Sequence, residues 1–296
     1  MNNIQGIILV VLSMAAFATE DMFVKLLTHV LPNGQIIFLL GLGGAVIFGL
    51  IALRRGEALF APLLQNRALQ IRTIAESFAT FFFITSLSKV PMSTVAAVFQ
   101  ATPLAITLGA ALFLGEQVGW RRWSAILVGF VGVLMIIRPG MEGFDPASVM
   151  VLGAVAAISA RDLISRKLPI DMSSYVVSFH GFGALALVGP LLLLVQLAPP
   201  VAMTLPQSGQ MGAALLFGVL GYYAIVTATR TGDASAITPF RYTRLIFSMI
   251  LGMLIFSERP DTMTYVGSAL IVGSGLYTFL RERALLRRQN RALHHS

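Results

Sequence analysis

The chain of 296 residues is 56% hydrophobic, only 11% charged and free of cysteine. Soluble domains carry charge on about a quarter of their residues, so this composition excludes a soluble globular protein and implies a chain folded in a bilayer. The missing cysteines remove disulfides, thiolate catalysis and cysteine metal sites, and the net charge of +8 gathers at the ends of apolar runs, a pattern of topology control and not of nucleic-acid binding.

Apolar runs lie near residues 4–27, 34–53, 70–89, 92–114, 120–138, 147–167, 172–196, 209–230, 234–256 and 262–281. Each approaches the ~20 residues that a helix needs to cross the hydrocarbon. The expected fold is therefore all-α and integral to the membrane, with about ten transmembrane helices. The first run lacks a preceding basic region and a small-residue cleavage site, so it reads as a retained span. Proline, glycine and arginine punctuate the breaks, as at Pro32-Asn33-Gly34, Arg54-Arg55-Gly56, Pro139-Gly140, Pro199-Pro200 and Arg259-Pro260.

Alternating the loops collects Arg54, Arg55, Arg67, Arg72, Arg121, Arg122, Arg161, Arg166, Lys167, Arg230 and the arginines from Arg281 to Arg291 on one side. Lys25, Lys89, Arg138 and Arg259 remain on the other. By the positive-inside rule both termini are cytoplasmic.

Two segments correspond. AAVFQATPLAITLGAALFLGEQVGWRRW (96–123) and TPFRYTRLIFSMILGMLIFSERPDTMTY (238–265) each end an apolar helix in a small residue and a glutamate, Gly115-Glu116 and Ser257-Glu258. A short polar turn, an aromatic and another span follow in both. With five helices in each half, an odd number, the halves must cross the membrane in opposite senses, the plan of inverted-repeat transporters. The expected units are 1–140 and 147–283 around a central cavity, joined by PGMEGFDP (139–146), with a basic cytoplasmic tail at 284–296.

The pair Asp21-x-x-x-Lys25, SLSKVPMSTVAAVFQATPLAITLGAALFLGE, RRWSAILVGFVGVLMIIRPG, ARDLISRKLP, TPFRYTRLIF and GMLIFSERPDTMTYVGSALIVGSGLY occur in this order along the chain. In that arrangement the chain resembles the drug/metabolite transporter superfamily in its EamA-type branch, and within it the YddG-type exporters of aromatic and other hydrophobic amino acids. The resemblance covers essentially the whole length. It implies a ten-helix secondary transporter of small metabolites, most often an exporter of amino acids.

Charge inside a span costs about 2.5–3.5 kcal/mol on insertion scales and persists where it is paired, hydrated or functional. On the ninth span Arg241 and Arg244 share a face, three residues apart. Counting ~1.5 Å per residue puts Arg244 near the midplane and Arg241 roughly 6 Å to its cytoplasmic side. Glu76 on the third span and Arg161 and Asp162 on the sixth fall near the depth of Arg241. These four are expected to form a network that holds the cytoplasmic half shut, with Arg241 facing Glu76 and Arg244 facing the cavity or a second acid. Ion pairs that only fix helix packing are the competing reading.

On the first span Asp21 and Lys25 form an i,i+4 pair. They either neutralise each other, with Lys25 reaching outward, or present an acid end to protons or amino groups. His180 reads as a core imidazole. Glu116 and Glu258 read as turn residues near the next helix's positive N-terminus.

The expected cavity is apolar with a few placed polar groups. Its candidate lining is Phe78 and Phe82 on one face of the third span, with Phe99, Gln100, Ser159, Tyr222, Tyr242 and Arg244. Pro103 and Pro239 join them, because a proline within a span frees a carbonyl that can bind solute or form a hinge. The Gly41/Ala45/Gly49 ladder predicts close helix packing.

The expected function is a secondary transporter exporting small metabolites, amino acids above all, by alternating access between two inverted repeats. Another small organic solute, imported or moved down its gradient, is the alternative. A membrane-embedded enzyme is the minor reading, since neither H-E-x-x-H nor G-x-S-x-G occurs. No G-x-x-x-x-G-K-[ST] loop occurs either, so a solute or ion gradient supplies any driving force. No cofactor and no metal are expected. The partners are a small-molecule substrate and the lipid bilayer, not nucleic acid, and the chain is expected to act as a monomer, multi-pass in a bacterial inner membrane.

Overall fold

The computed structural model describes residues 3–116, 119–141, 144–169, 172–231 and 237–293. Residues 142–143 of the joint and the side chains of Arg230, Arg283, Arg287, Arg288 and Arg291 lie outside that description. The first half contains α1 (Asn3–Thr28), α2 (Asn33–Arg54), a short α3 (Ala61–Gln65), α4 (Arg67–Lys89), α5 (Met92–Phe99), α6 (Thr102–Phe113) and α7 (Trp120–Ile137). The second contains α8 (Val149–Ser165), α9 (Ser174–Val195), α10 (Leu205–Thr231), α11 (Thr243–Phe256) and α12 (Thr262–Leu293), with 3-10 turns at Pro146–Ser148 and Thr238–Tyr242. No strand occurs among the described residues.

Among the described residues, nine segments are long and apolar enough to cross a membrane. The remaining long helix, α4, carries Arg67, Arg72, Glu76 and Lys89 in its 23 residues and falls short in hydropathy. It nonetheless packs along α8 and α9 within the bundle. Large apolar side chains point outward at helical spacing, as Leu42, Val46, Leu50 and Leu53 do on α2. In water such a surface would drive association; in a bilayer it is the face that meets lipid.

Two spans are interrupted where proline removes a donor. The expected span 92–114 divides into α5 and α6 just before Pro103. Pro103 cannot bond the carbonyl of Phe99 four residues back, and the Thr102 hydroxyl takes that carbonyl at 2.6 Å. In the second half the chain enters α11 through the 3-10 turn that contains Pro239, and the Thr243 hydroxyl bonds the Phe240 carbonyl, also at 2.6 Å. Both prolines thus shape the backbone at matching stages of the two halves.

Helix packing follows an exchange of the halves. α2 lies on α9 and α7 on α12, while α1 with α10 corresponds to α4 with α8, and α1 with α11 to α6 with α8. The two self-related pairs are built on glycine. A Cβ added at Gly34 would stand 2.6 Å from the Gly189 carbonyl oxygen, and Cβ atoms at Gly132 and Gly267 would each stand 2.6 Å from the other's carbonyl oxygen. Only glycine lets these backbones approach so closely. Gly41 of the small-residue ladder meets the backbone of Ala186 on α9 in the same way.

At the Thr28 end of the bundle, polar side chains tie the segments together. Lys25 Nζ donates to the carbonyls of Leu87 (3.3 Å) and Val90 (2.6 Å), at the C-terminal end of α4 and just beyond it. The Glu258 carboxylate accepts from the backbone N–H groups of Met92 (2.5 Å) and Ser93 (2.9 Å) and from the Ser93 hydroxyl (2.7 Å), and lies 3.6 Å from Lys25 Nζ. This corrects the expectation for Glu258: it sits on the N-terminus of α5, a free-donor end that favours an anion, and not on that of the following helix α12. The N-terminus of α12 is capped instead by Asp261, which accepts from the Thr264 N–H at 2.9 Å.

Candidate functional site

Between the halves lies a cavity of about 680 Å³. Helix α1 presents a stripe to it, Phe17, Glu20, Asp21 and Val24, the i, i+3, i+4, i+7 spacing of one helix face. Opposite stand Phe83 of α4, Phe99 of α5, Tyr222 of α10 and Arg244 of α11.

Arg244 meets Asp21 through Nε (3.2 Å) and Nη2 (2.7 Å), both on Oδ2. The guanidinium also lies over three rings, Phe17 at 5.4 Å, Phe99 at 5.5 Å and Phe83 at 5.7 Å. Asp21 is only 7% exposed. A bonded counter-charge and three ring faces together make the charge tolerable away from water.

A second cluster joins α4 to α8. Glu76 accepts from Arg161 Nη1 at 2.8 Å and pairs with Arg72 Nη2 at 3.2 Å. Arg161 also grips Asp162 Oδ1 through Nε (2.9 Å) and Nη2 (2.7 Å). Arg72 Nε donates to the Ser165 hydroxyl at 3.1 Å, while its buried Nη1 finds no acceptor among the described residues. Nearby, the Ser178 hydroxyl donates to the Tyr222 oxygen at 2.6 Å.

Of the residues singled out by sequence, Asp21, Glu76, Phe99, Gln100, Pro103, Arg161, Asp162, Tyr222, Arg241 and Arg244 line the cavity. Six others do not. Phe78 is 55% exposed on the outer side of α4, and Phe82 stacks beside it against Gly153 of α8. The face they share is real, but it is not the cavity face. Ser159 is buried with its hydroxyl on the Val155 carbonyl at 2.6 Å. Pro239 and Tyr242 line a separate apolar groove between α11 and α12, with Ser268 and Val272. Lys25 does not pair with Asp21, because Glu258 and two carbonyls hold it elsewhere.

Arg241 does not pair with Glu76. It lines the cavity with no ion pair or hydrogen bond to any described residue, and Asp162 and Arg161 are the charges that act on it. Glu76 is occupied by the two guanidiniums nearer to it. His180 is buried in α9 with Nε2 at 2.6 Å from the Leu59 carbonyl, outside the cavity.

The sequence reading left Phe17, Glu20 and Arg72 out of the site. The signals were present: the stripe on α1, and the Arg72–Glu76 spacing of i,i+4, which brings opposite charges together on a helix.

Comparison with known proteins agrees with this architecture. The EamA-like transporter family matches residues 4–138 and again residues 146–280. An S-adenosylmethionine uptake transporter of Rickettsia felis is 30% identical over 224 residues, 73% of this chain and 74% of its own length. A riboflavin transporter of Vibrio cholerae is 33% identical over 62% of this chain and 61% of its own. The pseudopaline exporter CntI of Pseudomonas aeruginosa is 26% identical over 90% of this chain and 93% of its own. A solved crystal structure, 21% identical, shares the fold with a TM-score of 0.59 over 93% of this chain and 98% of that one. The chain therefore belongs to the EamA-like transporter family and is a small-molecule membrane transporter.

Proposed function

We propose that the protein is a gradient-driven exporter of amino acids or amino-acid-headed metabolites with an apolar or aromatic body. The observation that carries this reading is the make-up of the cavity: carboxylates and guanidiniums share one chamber with the rings of Phe17, Phe83 and Phe99. Small-molecule sites are mostly apolar enclosures of roughly 300–1,000 Å³ with a few placed polar groups, and about 680 Å³ admits a solute larger than a simple amino acid. S-adenosylmethionine, the solute named for the Rickettsia relatives, itself carries an α-amino-acid head on an aromatic-bearing body.

In this reading the cytoplasmic half closes through Glu76, Arg161, Asp162 and Arg72, which bridge α4 and α8, while units 1–140 and 147–283 rock about the cavity. Both termini and the basic tail face the cytoplasm of a bacterium, with the chain acting as a monomer in the inner membrane. Uptake of a nucleoside-bearing solute is the second reading, favoured by the cavity's volume.

The test is counterflow in proteoliposomes, with the twenty amino acids, S-adenosylmethionine and riboflavin as competitors. Competition by phenylalanine or leucine supports the amino-acid head; competition by S-adenosylmethionine alone favours the second reading. Competition by riboflavin alone would sink it. Reporter fusions at Ser296 check the orientation.

A further inference from the structure

The cavity is lined by four carboxylates, Glu20, Asp21, Glu76 and Asp162, and four guanidiniums, Arg72, Arg161, Arg241 and Arg244. Its formal charge is zero, but the charges are not evenly shared. Arg244 is committed to Asp21. Arg72, Glu76, Arg161 and Asp162 are committed to one another. That accounts for six of the eight. Glu20 and Arg241 remain, and neither makes an ion pair or hydrogen bond with any described residue.

These two leftovers sit in different neighbourhoods. Glu20 is beside Asp21 on α1, with Arg244 as the cation that acts on both, so this corner holds two carboxyl groups against one guanidinium. Arg241 is near Asp162 and Arg161, so its corner carries Arg72, Arg161 and Arg241 against Glu76 and Asp162, three positive charges against two negative. By formal count, the cavity thus has an acidic pole and a basic pole.

Glu20 also has a prepared seat. A Cβ added at Gly218 of α10 would stand 2.7 Å from Glu20 Oε1, so a methyl group there would push the carboxylate aside. Around it, α1 contributes Asp21 and Phe17, α11 contributes Arg244, and α10 contributes Gly218. Asp21 and Arg244 are the charges that act on it. A cation close to a carboxyl group favours its ionised form. A cation delivered by the solute supplies the missing partner.

We propose that Glu20 is the cation subsite of the cavity. It takes the ammonium or other positively charged group of the solute, while Arg241, at the opposite pole, takes its carboxylate. The assignment rests on the reading of this cavity as the substrate site. It adds the polarity with which a zwitterion lies in the cavity and the residue that selects for its positive charge.

The experiment measures binding to the purified full-length protein in detergent, by thermal shift and titration. The probes are phenethylamine (cation), 3-phenylpropionate (anion), phenylalanine and S-adenosylmethionine (both charges), and riboflavin (neutral body). Three variants are compared with the original chain: Glu20→Gln, Gly218→Ala and Arg241→Gln. Glu20→Gln is expected to weaken the cation-bearing probes by about tenfold to a hundredfold, the scale of a hydrogen bond to a charged group, and to leave 3-phenylpropionate unchanged. Gly218→Ala should act in the same direction without removing the charge, and Arg241→Gln should spare phenethylamine but weaken 3-phenylpropionate.

Equal binding of phenylalanine or S-adenosylmethionine by the original chain and Glu20→Gln overturns the cation subsite and leaves the amino-acid reading standing. Glu20-dependent binding of phenethylamine without binding of phenylalanine or S-adenosylmethionine upholds the subsite and overturns the amino-acid reading. Binding of riboflavin and 3-phenylpropionate alone overturns both.

Discussion

Glu116 and Glu258 close corresponding segments of the two halves, yet they live in opposite surroundings. Glu258 has a side chain 9% exposed, held by two backbone N–H groups, a hydroxyl and Lys25. Glu116 is 46% exposed and meets only Arg166, at 3.1 Å, among the described residues. The same residue type in the same local sequence is thus a buried tie at one end of the bundle and a surface pair at the other. Repeats related by an inverted two-fold need not be in the same state at once; alternating access requires that they are not. At the Thr28 end, Glu258 joins the turn before α12 to α5, and through Lys25 to α1 and the end of α4. That end is tied at this residue.

The largest effect is expected from Glu258→Ala. It strands Lys25 in a buried site, and removing one member of a buried pair costs about 3–5 kcal/mol. SDS titration of the purified protein measures this. A loss below about 1 kcal/mol would show that the tie is slack and the two glutamates are alike after all. Lys25→Met is expected to cost less, about 1.5–3 kcal/mol, because Glu258 keeps its three donors from Met92 and Ser93. If Lys25→Met proves the worse of the two, then the lysine's bonds to Leu87 and Val90 hold this end, not the glutamate.

Next in size is the turn that carries Glu258 into α12. Asp261 caps α12 and pairs with Arg138, and its acid is held down to about 2 from 3.8 by the hydrogen bond from Arg138, with further bonds from Thr264. A depressed acid stabilises the folded state fully above its unfolded value and loses that contribution as pH falls through the folded value. The contribution is therefore complete above about pH 4 and fades toward pH 2. Asp261→Asn should flatten that acid limb and cost about 1 kcal/mol at neutral pH, the scale of a lost cap. An unchanged acid limb in the variant would assign the loss to other carboxylates. Asp261 is half exposed, so no larger effect is expected.

How much of this was legible in the sequence differs from residue to residue. The helices were readable, because hydropathy over ~20 residues reports the membrane directly. Glu76, Arg161 and Asp162 were readable as a cluster from depth alone, since few cations lie at the level of an intramembrane acid. Arg241 was assigned to Glu76 because depth does not rank competitors, and Arg72 stands one turn from Glu76 on its own helix. The Asp21–Lys25 pair failed for a related reason. Spacing sees one helix, whereas α1 is flanked by Arg244 on one side and Glu258 on the other. Phe78 and Phe82 failed because phenylalanine suits lipid and cavity equally, so composition cannot say which way a face points.

The smallest expected effect sharpens the comparison most. Glu116 and Arg166 form an exposed pair, so a double-mutant cycle with Glu116→Ala and Arg166→Ala should return a coupling of about 0.2–1 kcal/mol. That value is a population average. If the protein also visits a state in which Glu116 takes the part that Glu258 plays here and the Thr28 end is free, Glu116 leaves Arg166 in that state, and the coupling falls below this range. A solute that favours the second state would shift the balance. Adding it should lower the Glu116–Arg166 coupling and the Lys25–Glu258 coupling together, since one state holds both pairs and the other holds neither. Loss of one coupling without the other would mean that the two ends open independently and that the repeat-related glutamates do not report one transition.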